Sequence, residues 1–95
     1  MVDNVDYSIY IGGKPLMSYV TAVVMQFTGK NAGKIVLKSR GKFISHAVDV
    51  AQVTVNRFLK DKIKIENVGI SSEEFKNEQG KQVRVSTIEI ALVKV

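Results

Sequence analysis

From Lys62 to the C-terminus the apolar residues fall at a spacing of two, whereas two apolar runs before it fall at helical spacing. This switch constrains the fold most, because a pattern of helical period does not settle as a strand, nor the reverse. Tyr7–Ile11 is β-branched and aromatic and ends at Gly12-Gly13, which predicts a strand and a turn. Pro15 suits the first helical position, where its missing N–H costs nothing. Leu16, Val20, Val23, Val24 and Phe27 then recur at helical spacing, and Gly29 and Gly33 close the helix and the loop after it. Lys34–Leu37 opens a second strand, so the first half is a βαβ unit, expected to be parallel and right-handed. In the second helix Ile44, Ala47, Val48, Ala51, Val55 and Phe58 are assigned to one face. Ser45, Asp49, Gln52 and Asn56 fall largely on the other, and Ser45 or a neighbour is the expected cap.

In the last third, Ile63 and Ile65 share one parity and Val68 and Ile70 the other, which predicts a bulge near Asn67. The polar stretch from Ser71 to Gln82 carries a turn glycine, Gly80, and leads into a long strand from Val83 to Val95. Apolar residues on both parities of that strand imply burial on both faces or a further bulge. The order is β-α-β-α-β-β. The expected class is α+β, a two-layer sandwich in which a mixed four-stranded sheet carries both helices on one face.

Residues 1–95 read as a single domain with an extended hairpin arm around 71–83. So short a chain buries a modest fraction of its surface, and a partner subunit would help it. There is no cysteine, hence no disulfide and no thiolate metal site. No apolar run approaches ~18 residues, so no membrane span is expected. The start, MVDNVDYS, is acidic and lacks the positive opening of a signal peptide. Net charge is +5, from 14 Lys and Arg against 9 Asp and Glu. That balance suits nucleic acid or an acidic membrane surface, and equally a merely soluble basic protein, so position has to decide.

Reactive groups do not converge. Ser45, His46 and Asp49 resemble a triad only as letters, because adjacent residues of a helix point about 100° apart. His46 is read as an ordinary surface or packing residue. Glu73 and Glu74 lack a His or Cys companion and read as a solvated acidic patch. Gly13-Lys14 follows a strand and opens a helix, but Ser8 stands where a phosphate loop needs its first glycine, and Pro15 follows the lysine. No catalytic residue, metal or cofactor is expected.

The cations are distributed with more pattern. Gly-Lys occurs at Gly13-Lys14, Gly29-Lys30, Gly33-Lys34, Gly41-Lys42 and Gly80-Lys81. The Lys14 and Lys42 copies lie where a strand gives way to a helix, at the same end of neighbouring parallel strands. Glycine lets a backbone approach a ligand closely, and a helix N-terminus offers N–H groups to an anion. Lys14, Lys38, Arg40 and Lys42 are therefore expected on one basic, anion-binding edge; the plainer alternative is that exposed loops are simply often charged. Lys76, Lys81 and Arg84 add cations to the arm, offset by Glu73, Glu74 and Glu78. Such an arm suits a DNA groove or its flanking phosphates, or is an ordinary polar hairpin.

The stretches GGKPLMSYV, IVLKSRGKFISHAVDVAQVTVNRFL and GKQVRVSTIEIAL resemble the Alba family of small archaeal chromatin proteins, over nearly the whole chain from about Tyr7 to Lys94. The resemblance implies the fold of the C-terminal domain of a bacterial translation initiation factor. It further implies a homodimer that binds double-stranded DNA with little sequence preference, and RNA as well, in the cytoplasm and in association with the chromosome. On the matching motifs, Lys14, Arg40 and Lys42 are the implied body contacts, with Lys38 beside them and Lys81 and Arg84 on the arm. Asn56, Arg57 and Phe58 match a segment that joins dimers side by side along DNA; Phe58 also continues the apolar helical face, so core packing is the other reading.

Two departures stand out. The family often has Lys-Lys before the proline, and here Gly13 replaces the first lysine, an acetylation site in well-known members. The arm is also more acidic, with Glu73, Glu74 and Glu78. Both imply weaker DNA binding than that of a typical member.

Overall fold

The computed structural model of the chain describes residues 6–95; most of the acidic N-terminal stretch lies outside the described residues. Four strands and two helices follow in the order β1 (Asp6–Tyr10), α1 (Leu16–Thr28), β2 (Lys34–Arg40), α2 (Ile44–Val53), β3 (Ile63–Lys76) and β4 (Gln82–Lys94). A 3-10 turn, Gly41–Phe43, leads into α2, and a π-turn, Thr54–Phe58, ends it. The sheet order is β1-β2-β4-β3, with β1 parallel to β2 and the other pairs antiparallel. The fold is the expected mixed four-stranded sheet in an α+β arrangement.

The core lies between the sheet and the helices. Ile35 and Leu37 of β2, Leu92 of β4, Val20 and Val23 of α1 and Val50 of α2 are fully buried. Along β2 burial alternates, with Ile35, Leu37 and Ser39 turned inward. The other parity, Lys34, Val36, Lys38 and Arg40, faces away from the helices and forms the open side of the sheet. The buried Ser39 hydroxyl donates to the Ile11 carbonyl at 2.9 Å, which ties the ends of β1 and β2 together.

Several local readings shift. Pro15 precedes α1 as its extended cap residue, one position before the first helical residue. In the loop after α1 the left-handed residue is Asn31, with φ 53°, while Gly29 stays right-handed and donates its N–H to Met25. No side chain caps α2, Ser45 included; its start is set by Gly41, whose φ of 60° suits glycine. The inner face of α2 is Ala47, Val50, Ala51 and Thr54, spaced three, four and seven apart, whereas Val48 and Phe58 are exposed. The Thr54 hydroxyl, fully buried, donates to the Val50 carbonyl at 2.8 Å.

The register of β3 against β4 slips between Ile65 and Asn67, the bulge implied by the parity change. In β4, Ile88, Ile90 and Leu92 face the helices and Ala91 is buried on the other side, while pairing with β2 runs unbroken. Residues of both parities are thus buried at that point, with no second bulge against β2. The β3–β4 hairpin runs to a tip where the Asn77 side-chain oxygen accepts the N–H groups of Gln79 (2.9 Å) and Lys81 (3.0 Å). Gly80, at φ 78°, closes that turn. The molecule measures 46 × 30 × 19 Å.

Candidate nucleic-acid interface

Because β1 and β2 are parallel neighbours, both strand-to-helix turns emerge at one end of the sheet. They touch there: a Cβ built on Gly13 would lie 3.5 Å from the Phe43 ring, and His46 Nε2 donates to the Lys14 carbonyl at 2.9 Å. Lys14 and Lys42 are exposed on these two turns, and Arg40 ends β2 immediately before the second. Lys14, distant in sequence, thus shares one edge with Arg40 and Lys42. The Lys42 ammonium stands 5.4 Å from the Phe43 ring centroid.

The turn bearing Lys14 is held by side chains rather than offering its amides. The buried Tyr19 hydroxyl accepts the N–H groups of Gly12 (2.8 Å) and Lys14 (3.2 Å). His46 packs edge-on against the Tyr19 ring at 5.7 Å between centroids. The expectation of N–H groups available to an anion is therefore corrected for Gly12 and Lys14: a buried hydroxyl must be satisfied, and it uses them. What this turn presents to an anion is the lysine side chain. Of the two readings of His46 the packing one holds, and its bond to the Lys14 carbonyl also braces the turn. The available signals were a tyrosine within an apolar helical stripe and the single histidine at the start of the next helix.

Lys38 and Arg40 share the open face of the sheet, and both have acidic partners. Lys38 Nζ is 3.9 Å from Glu89, directly opposite on β4. Arg40 Nη1 lies 3.3 Å from Glu73, which reaches across β4 from the arm. Arg84 carries the tightest pair, with Nη2 2.6 Å and Nε 3.2 Å from Glu74 Oε2. By strand alternation Arg84 and Glu74 belong to the parity of Ile88, so Arg84 and Arg40 leave the sheet on opposite sides. Lys81 is exposed at the hairpin tip. In the π-turn Asn56 donates to Gln52 at 2.7 Å, Arg57 is exposed and Phe58 is half exposed. Phe58 is therefore not core: the wide turn carries it off the buried stripe.

These pairs are exposed, so each stabilises the fold little, in the range of about 0–1 kcal/mol. They do compete with any phosphate for Arg40 and Arg84. Replacing Glu73 and Glu74 together by Gln should leave the melting temperature nearly unchanged and tighten duplex binding about three- to tenfold at low salt. Anisotropy titrations of both proteins would check this; unchanged affinity would show that the carboxylates do not compete. At Gly13 a Cβ meets the Phe43 ring at ordinary van der Waals distance, so the missing lysine reflects no steric bar.

The family model for Alba matches residues 8–72. The chain belongs to the Alba family. It is 42% identical over 93 residues to the DNA/RNA-binding protein Alba of Methanococcus maripaludis, covering 98% of this chain and 100% of that one. It is 47% identical over 90 residues to the protein of the same name from Methanocella arvoryzae, covering 95% and 88% respectively. Among solved structures, Alba from Thermoplasma volcanium superposes with a TM-score of 0.82 at 48% identity, covering 90% of this chain and 98% of that one. No helix among the described residues is long and apolar enough to cross a membrane.

Proposed function

We propose that this Alba-family chain is an architectural protein that binds double-stranded DNA as a homodimer, mainly through the phosphate backbone and with little sequence preference. The observation that carries this reading is the edge where two touching turns carry Lys14 and Lys42, with Arg40 at the end of β2 beside the second. Relatives named DNA/RNA-binding proteins support it. Lysines and an arginine on a braced edge suit phosphates, which position a protein without reporting base identity. The arm adds Lys81 at its tip and, on the opposite side of the sheet from Arg40, Arg84 once Glu74 is displaced.

The homodimer is supported by unburied apolar surface. Val68 and Ile70 continue the side of the sheet that bears Ile88 and Ile90, yet lie beyond the cover of the helices, at 51% and 81% exposure. A second copy of the chain would bury them and supplement a small core. Two subunits would pool their charge on one duplex, acting on the chromosome in the cytoplasm.

Competition between two unrelated 40-base-pair duplexes tests the reading. Equal displacement is expected, and a preference above about tenfold would contradict backbone recognition, since base readout contributes such ratios. RNA is the second reading, supported by the names of the relatives.

Asn56, Arg57 and Phe58 form an exposed segment suited to contact between neighbouring dimers on DNA. Phe58→Ala should reduce cooperativity along a long duplex more than affinity for a site of one dimer. Equal loss of both, with the fold intact, would remove the segment from that role.

A further inference from the structure

A groove of about 710 Å³ opens at the end of the sheet beside the end of β1, between the open side and the turns that carry Gly12 and Phe43. Its wall includes Tyr10, Lys38, Arg40, Thr87 and Glu89. Tyr10 is 73% exposed, and the Lys38 ammonium lies 5.8 Å from its ring centroid. None of the duplex-binding reading uses this ring. We propose that the groove takes one unpaired nucleotide of a single-stranded nucleic acid, its base stacked on Tyr10.

The proposal deepens the nucleic-acid reading above and rests on it, but concerns a different ligand form. The charges in the groove balance, since Lys38 faces Glu89 and Arg40 faces Glu73. A bare phosphate would meet as many carboxylates as cations there, so the groove is no simple anion site. An unpaired nucleotide offers more. Its base has an apolar face for the tyrosine, its edge has N–H donors for the carboxylates and the Thr87 hydroxyl, and its phosphate suits a lysine or arginine. Both ion pairs are solvent-exposed and therefore weak, so their members can exchange partners at little cost. A duplex cannot use this site, because its bases are stacked on one another. Aromatic rings on the open face of a four-stranded sheet bind splayed bases in RNA-recognition modules by the same physics. A size of several hundred Å³ lies within the range of about 300–1,000 Å³ usual for small-ligand sites.

The test compares binding of a 12-nucleotide single-stranded RNA, its DNA counterpart and a 40-base-pair duplex by the unaltered protein, Tyr10→Ala and Tyr10→Phe. Tyr10→Ala should weaken single-strand binding roughly 5- to 150-fold, the loss of one stacked base, and leave duplex affinity within about twofold. Tyr10→Phe, which keeps the ring, should restore single-strand binding. The chain has three tyrosines and no tryptophan, so tyrosine emission is readable directly. Single strands should quench it in the unaltered protein, and much less in Tyr10→Phe. Loss on either single strand with duplex binding intact supports the site; loss on RNA alone adds a contact to the 2′-hydroxyl. Unchanged single-strand affinity in Tyr10→Ala, equal losses on all three ligands, or duplex binding with no single-strand binding would each overturn it. Failure to bind any of the three would instead defeat the nucleic-acid reading as a whole.

Discussion

A protein with alanine at both Arg40 and Lys42 should bind a 40-base-pair duplex about 10²- to 10³-fold more weakly near 0.1 M salt, because counterion release at up to four phosphates per dimer is lost. The same loss should flatten the plot of log affinity against log salt by about three units. Both residues are exposed and end or follow β2 without entering the core, so the fold should survive. Circular dichroism and a thermal melt on the same samples would establish that. The loss should be equal on unrelated sequences, since neither side chain is proposed to read a base edge. An unchanged salt slope would remove the pair from the interface, whatever happened to affinity.

Leu37→Ala should destabilise the fold by about 2–5 kcal/mol and lower the melting temperature by roughly 10–30 °C. Leu37 is fully buried, with Ile9 of β1 beside it on one side and Ile90 of β4 on the other. Strands on both sides hold the backbone, so the cavity cannot readily collapse, and the cost includes lost packing as well as lost transfer energy. The melt must be made at fixed protein concentration, because a dimer couples stability to concentration. Below its melting temperature the variant should bind duplex with the unaltered salt slope, since the cations lie outside the core. A cost under about 1 kcal/mol would mean that the sheet adapts there more than close-packed interiors normally do.

The elements and their order were legible because apolar spacing carries them. The bulge at β3 was legible for the same reason: Ile63 and Ile65 cannot share a face with Val68 and Ile70 unless the register slips. The inner face of α2 was misassigned because Val48 and Phe58 are apolar letters and Thr54 is not, yet Thr54 satisfies its hydroxyl within its own helix and is buried. The π-turn that turns Phe58 outward is a backbone event with no apolar signature.

The basic edge was legible from topology, since Lys14 and Lys42 follow strands expected to be parallel neighbours. Its fine structure was not. The Tyr19 and His46 bonds to the Lys14 turn join side chains to backbone, and spacing says nothing about them. The acidity of the arm was visible, but not that Glu73 reaches Arg40 from 33 residues away, or that Glu74 grips Arg84 across the hairpin. Those meetings depend on register and twist.

The most direct test of the central claim is a salt titration of the unaltered protein on a fluorescent 40-base-pair duplex, with an RNA duplex of the same sequence beside it. Six phosphates neutralised per dimer predict a slope of roughly −5 in log affinity against log salt, alike for unrelated DNA sequences. The DNA-to-RNA ratio then ranks the two ligands. A slope near zero, or affinity that follows sequence rather than salt, would contradict binding through the phosphate backbone.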